Sequence, residues 1–186
     1  METTLKKETT KTKWTLDPSH SELAFKVRHM MITNVKGEFK KFDAIVFSQG
    51  ADVTKSTIEV TIDAASISTG DDQRDGHLRS ADFFEADKFP TLSFQGTSFR
   101  KIDDDEYKLK GILEIKGVKK EVILDVEFGG INKDPWGNEK VGFSVAGKIN
   151  RKDFGLTWNA ALETGGVLVS EEVKISAEVQ FVKQTE

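Results

Sequence analysis

The chain has 186 residues, within the range of a single domain. Its formal charge of −4, from 27 basic and 31 acidic side chains, argues against a nucleic-acid binder working by bulk charge. The absence of Cys excludes a disulfide framework, a thiolate metal site and a Cys nucleophile, and no apolar run approaches the length of a membrane-spanning helix.

Residues 1–13 are polar and charged and lack the apolar stretch of a signal peptide. Residues 1–12 are therefore expected to be a disordered tail, with one domain over 13–186. As written, the chain is expected in the cytoplasm; a leader removed from it would place it in the periplasm.

From Trp14 onward the apolar period is 2. Trp14 and Leu16 form the first row, and Leu23, Phe25 and Val27 the second. Ile58, Val60 and Ile62 follow, then Leu92 and Phe94. Tyr107, Leu109, Gly111, Leu113 and Ile115 face one way, with Lys108, Lys110, Glu114 and Lys116 between them. Val122, Leu124, Val126 and Phe128 make another row, as do Val141, Phe143, Val145, Gly147 and Ile149. The last is Val173, Ile175, Ala177, Val179 and Phe181. These rows predict an all-β chain of about eight long strands, each polar on one face, which suits an antiparallel sandwich or a closed barrel. A barrel removes the exposed edges of such strands.

Lys116-Gly117-Val118 predicts a hairpin, residues 132–139 around Asp134-Pro135-Trp136-Gly137 a turn-rich loop, and Asp103-Asp104-Asp105 a charged turn. Three segments break the pattern. Residues 29–34 are expected to form a single helical turn. Residues 70–85 are expected to hold a short helix capped by Asp71 or Asp72, with Leu78 buried and Asp82-Phe83-Phe84 plugging one barrel end. Residues 150–155 close the strand that ends at Ile149.

The inward rows either fill a solid core or line a tunnel for an apolar chain. Residues facing the interior on the tunnel reading are Phe25, Val27, Phe39, Ile62, Phe94, Leu113, Leu124, Val126, Phe143, Val145, Ile175 and Val179. Gly111 and Gly147 either leave space inside or mark bends. Candidates for a polar mouth are His20, His29, Arg74, His77, Arg79, Trp136 and Arg151. Arg74 and Arg79 either grip an anionic head group or join Asp75 in salt bridges that pin the helical insert. Arg151, Lys152 and Asp153 either contact ligand or form a local ion pair that fixes the strand exit. Trp14, Trp136 and Trp158 read as packing or lid residues, Trp136 best as a lid. The three His lack local metal-ligand spacing, so no metal is expected. There is no G-x-S-x-G, H-E-x-x-H, P-loop or dinucleotide fingerprint, and no enzyme is expected; His20 or His77 with Asp75 is the nearest approach to an acid–base pair.

Several segments together resemble the YceI-like family, also known as polyisoprenoid-binding or lipid-binding YceI-like domains. They are WTLDPSHS at 14–21, FKVRH at 25–29, VKGEF at 35–39, RDGHLRSADFF at 74–84, FPTLSF at 89–94, LKGIL at 109–113 with Gly117-Val118, DPWG at 134–137 and NRKDFG at 150–155. The ordered match spans 14 to about 183. The resemblance implies an extended lipocalin-like antiparallel β-barrel with a short helical insert. It implies an interior that binds a polyisoprenoid or a fatty-acid derivative, as a carrier, storage or sequestration protein, with no other cofactor. Fatty-acid or fatty-amide binding and a solid-core protein-interaction module are the alternative readings. The expected partner is a lipid rather than a nucleic acid, and the outer face of a long strand such as 173–181 is compatible with a homodimer.

Overall fold

A computed structural model describes residues 11–49, 52–160, 162 and 168–184. Among these, eleven strands and one α-helix follow in chain order: β1 (Lys11–Leu16), β2 (Glu22–His29), β3 (Thr33–Phe39), β4 (Phe42–Gln49), β5 (Asp52–Asp63), β6 (Ile67–Ser68), α1 (Asp72–Arg79), β7 (Thr91–Lys101), β8 (Glu106–Ile115), β9 (Val118–Lys133), β10 (Glu139–Asn150) and β11 (Glu172–Lys183).

The pairing closes a barrel of eight antiparallel staves. β11 holds the key to the closure. One of its edges pairs with β10 throughout, and the other is shared. Leu16 to Trp14 of β1 take Phe181–Lys183, and Glu22 to Lys26 of β2 take Glu178 to Lys174. β1 and β2 are thus two halves of one stave. The break is chemical: Asp17 caps a 3-10 turn over Pro18–His20, and Pro fixes the bend. β3 and β4 form a second broken stave across Lys40-Lys41, and β5 and β6 a third across the 3-10 turn Ala64–Ser66.

The eight rows read from the sequence are not these eight staves. The rows count β1 and β2 separately and omit β3 and β4. β3 hides its alternation because Gly37 stands in its inward row, and β4 hides its own because Ile45 and Phe47 make the outer face apolar as well. Two further expectations are corrected. The first strand starts at Lys11, where Lys11 and Thr12 pair with Gln49 and Ser48; residues 1–10 lie outside the described residues. Residues 29–34 form no helical turn. His29 pairs with Thr33, and Met30 and Met31 make the reversal with φ of 53° and 62°, closed by Ile32 N–H donating to the His29 carbonyl.

Nor do Gly111 and Gly147 leave holes. A Cβ at Gly111 would meet the Phe94 ring at 2.4 Å, and one at Gly147 would meet Leu124 Cδ2 at 2.4 Å. The side chains of Phe94 and Leu124 already occupy the space over these glycines.

The two barrel ends differ in filling. One carries the turns at 102–105 and 134–138 and both described termini. Here Phe99 stacks on Tyr107 with ring centroids 4.8 Å apart, Phe128 lies 5.6 Å from Phe143, and Phe143 lies 6.2 Å from Phe181. Trp14 joins them and gives its indole N–H to Ser48 Oγ at 3.0 Å. The other end carries α1, the β2–β3 turn and the segment that follows β10.

Candidate ligand-binding cavity

Between these ends lies a cavity of about 410 Å³. That is within the size of ordinary small-molecule sites. The interior is therefore open rather than solid. Phe25, Val27, Phe39, Ile62, Phe94, Leu113, Leu124, Val126, Phe143, Val145, Ile175 and Val179 all line it. The reason is register: each sits on the inward parity of its strand, and consecutive staves present these positions at neighbouring levels. Phe99, Phe143 and Phe181 bound the cavity at the aromatic end, and Tyr107, Phe128 and Trp14 lie beyond it. Along β11 the lining runs from Val173 to Phe181, about 27 Å at a rise of ~3.4 Å per residue.

The polar lining is concentrated at the helical end: Arg28, His29, Thr69, Arg74, His77 and Arg151, with Ser56 lower on the β5 wall. The helix is fixed from both sides. Asp71 caps it by accepting from Arg74 N–H at 3.0 Å. Asp75, 4% exposed, accepts from the backbone N–H and the hydroxyl of Thr69 at 2.8 and 2.6 Å. Arg74 Nε donates to the same hydroxyl at 2.7 Å, and its Nη2 to the Thr69 carbonyl at 3.0 Å. Thr69 is thus the hub, and neither Arg74 nor Arg79 makes the salt bridge to Asp75 that the sequence allowed. The His77 ring stands edge-on to Phe83 and Trp158, at 5.1 and 4.8 Å, and its Nε2 pairs with Asp82 rather than Asp75 at 2.9 Å. Leu78, Phe83 and Phe84 line the cavity from the insert.

Arg151 is the most buried cation, 3% exposed. It does not pair with Asp153. Its guanidinium donates to four carbonyls, those of Leu156 and Trp158 (2.7 and 2.8 Å), Val169 (3.3 Å) and Ser170 (2.8 Å). Burial pulls its pKa below the usual value, and the Glu171 carboxylate opposes that shift. The local ion pair belongs instead to Lys152 and Glu171 at 2.7 Å. Arg151 therefore ties down the segment that carries Trp158, Leu168 and Val169 over the cavity end.

Three mouth candidates lie elsewhere. His20 sits on the outer bend between β1 and β2, where Nδ1 pairs with Asp17 at 2.8 Å. Arg79 points away from the cavity and gives Nε to the Ala65 carbonyl at 3.2 Å, tying α1 to the 3-10 turn. Trp136 is 82% exposed on the β9–β10 loop at the aromatic end, so it is no lid for the helical end. No group of three potential metal ligands forms among the described residues. Arg28, Thr69 and Leu168 line the cavity without a sequence signal. Arg28 has outward strand parity, and Thr69 and Leu168 lie outside the alternating rows.

An eight-stave barrel with a helical insert is the fold of known proteins. The YceI-like domain model matches residues 14–181. The chain belongs to the YceI-like family. A UPF0312 protein of Staphylococcus aureus (strain bovine RF122 / ET3-1) is 41% identical over 171 residues, covering 91% of this chain and 97% of the relative. The crystal structure of the Campylobacter jejuni YceI protein has a TM-score of 0.73 at 38% identity, over 86% of this chain and 90% of that one. A polyisoprenoid binding domain from Saccharophagus degradans, implicated in plant cell wall breakdown, superposes at 0.69 over 92% of this chain and 98% of that one. At 14% identity that likeness speaks for the fold.

Proposed function

We propose that the barrel binds one long apolar chain, a polyisoprenoid or a similar lipid, and serves as its carrier, store or sequestering protein. The observation that carries this reading is the lumen itself: about 410 Å³, apolar along its length, floored by aromatics and polar at one end. A binding site for a chain with one polar head needs that asymmetry. Each methylene moved from water to the lumen contributes about 0.8 kcal/mol, so a chain of some fifteen carbons gains a gross ~12 kcal/mol against association costs of ~4–15 kcal/mol. Chain length therefore decides whether binding is tight. The likeness to a polyisoprenoid binding domain supports an isoprenoid as the first ligand to test.

A fatty acyl chain fits the same lumen, and Arg74 favours that second reading. Its guanidinium lines the cavity, is exposed, and has only Thr69 oxygens as partners among the described residues. A carboxylate or phosphate oxygen at the mouth would complete its donor set.

The test is displacement of an environment-sensitive fluorophore by prenyl alcohols, prenyl phosphates and fatty acids of graded length. Affinity is expected to rise with chain length and then level off once the chain reaches the aromatic floor. Arg74→Ala is expected to weaken the charged ligands and spare the alcohols. Affinity that ignores chain length would contradict lumen binding. Equal losses for charged and neutral ligands in Arg74→Ala would return that residue to a structural role.

A further inference from the structure

Four lysines stand side by side on the outside of the barrel. Lys148 of β10 pairs with Lys174 of β11, Lys174 with Lys26 of β2, and Lys26 with Lys36 of β3. All four are exposed. Like charges directly opposite one another across a sheet are destabilising, so the row is unfavourable for folding. Only Lys36 has a carboxylate in reach among the described residues, Glu22 at 3.7 Å, and Glu22 and Glu38 lie on rungs behind the row. In front of it stand Arg28, Asn34, Asn150 and Glu172. This concentration of cations occurs on a chain whose net charge is −4.

The same strands lead to an apolar tip. Met30, Met31 and Ile32, at the β2–β3 reversal, are 44%, 58% and 71% exposed. The two methionines hold left-handed backbone, which a side chain other than Gly, Asn or Asp adopts at a cost. An Asn-Gly pair would satisfy this turn with less strain, so the turn geometry does not account for methionine there. The tip belongs to the cavity end. Met30 N–H donates to the Leu168 carbonyl at 2.8 Å, and Leu168 and His29 line the cavity. Arg28 Nη2 donates to the Met31 carbonyl at 3.2 Å, which places a cation at the base of the tip.

We infer that the β2–β3 hairpin docks the mouth of the barrel onto an anionic lipid bilayer. Met30, Met31 and Ile32 enter the interface between head groups and acyl chains, and Arg28 with the lysine row meets the lipid phosphates. The spacing suits this arrangement. With the hairpin upright, the lysine row lies four residues behind Met30, about 13 Å. A tip sunk ~5–10 Å into the interface would bring that row within a Debye length of the charged surface, and lysine side chains would reach further. A lipid could then pass between bilayer and lumen without crossing water. The inference takes its purpose from the lipid-binding reading, but docking is measured without any ligand.

Co-sedimentation with vesicles tests it, using an equimolar mixture of phosphatidylglycerol and phosphatidylcholine against pure phosphatidylcholine. The protein is expected to sediment with the mixed vesicles, to bind the neutral ones far less, and to be released by salt. The double change Lys26→Glu with Lys174→Glu is expected to weaken binding by about tenfold or more, since each cation near such a surface counts. Met30→Asn with Met31→Gly keeps the reversal and removes the apolar tip, and it is expected to lose a comparable factor while retaining the β spectrum. Val145→Trp, which obstructs the lumen, is expected to dock like wild type while losing lipid uptake; a wild type that docks but takes up no lipid would overturn the lumen reading and leave this inference standing. No sedimentation of the wild type with mixed vesicles would overturn docking, as would sedimentation untouched by either double change. Binding to duplex DNA that matches vesicle binding and ignores the tip change would reassign the row to a polyanion. A dimer dissolved by the tip change, with no vesicle binding, would reassign the tip to a second copy.

Discussion

The two ends of the barrel are built from the same alternating strands and do opposite things. At one end, rings from β7, β8, β9, β10 and β11 pack against one another, and tight loops close the strands. At the other, the break between β5 and β6 leads into an inserted helix, and the cover is held by hydrogen bonds to backbone together with the rings of His77, Phe83 and Trp158. Apolar packing fills space; a hydrogen-bonded cover encloses space and leaves polar groups at its border. On the proposed reading, the ligand enters at the helical end and stops at the aromatic one.

The largest effect is expected at Arg151. Arg151→Met takes the guanidinium donor from the Leu156, Trp158 and Ser170 carbonyls and leaves Val169 to Asn159 alone, and about 3 kcal/mol or more of stability should be lost. Denaturant unfolding measures this loss, and faster amide exchange over residues 156–160 and 168–170 would place it in the cover. An unchanged midpoint would mean that the cover does not depend on this cation. Gly111→Ala probes the wall. A Cβ there would lie 2.6 Å from the Gln95 carbonyl oxygen, which cannot rotate away, so a loss of ~1–3 kcal/mol is expected in thermal unfolding. Gly147→Ala should cost less, because it displaces only the end of Leu124, yet it should reduce lipid uptake as that side chain turns into the lumen.

Val145→Trp narrows the lumen at mid-height. Uptake of a fluorescent acyl chain should fall about tenfold, equivalent to ~1.4 kcal/mol, with the far-ultraviolet spectrum preserved. Retained uptake would move the ligand off that wall. A smaller effect is expected at the first broken stave. The His20 ring first, then the Ser19 hydroxyl, hold the Asp17 carboxyl well below its ordinary value, with Lys140 at 3.1 Å adding to the effect. A depressed folded pKa contributes stability that is fully present above the unfolded value near 4 and disappears as pH falls below it. Asp17→Asn should therefore remove on the order of 1 kcal/mol at neutral pH and flatten the acid limb of the stability curve. The smallest effect belongs to Trp136→Ala. An exposed side chain at the aromatic end should change stability by less than ~0.5 kcal/mol and leave ligand affinity alone.

The wall was legible in the sequence and the mouth was legible only in part. All twelve residues read as facing the interior do line the cavity, because period-2 parity is set by the backbone and survives any error in strand order. Strand order itself is not local. That β11 splits one edge between β1 and β2 follows from pairing between residues 148 to 169 apart, and no stretch of sequence carries it. Local signals also failed where both faces are apolar, as in β4. Arg74, His77 and His29 line the cavity at the helical end, carried there by the insert and by strand parity. Trp136 misled because a Pro-Gly loop bearing a Trp resembles a lid at either end of a barrel. Arg151 misled because its neighbours in sequence, Lys152 and Asp153, suggest an ion pair, whereas its acceptors are carbonyls up to 19 residues away.

Whether the lumen carries a lipid is read by native mass spectrometry of the freshly purified protein, followed by organic extraction. The expected result is a discrete one-to-one adduct that releases a prenyl or long-chain acyl compound, with Val145→Trp arriving without it. A bare polypeptide mass that persists after incubation with prenyl and acyl compounds would contradict the reading of this barrel as a lipid carrier.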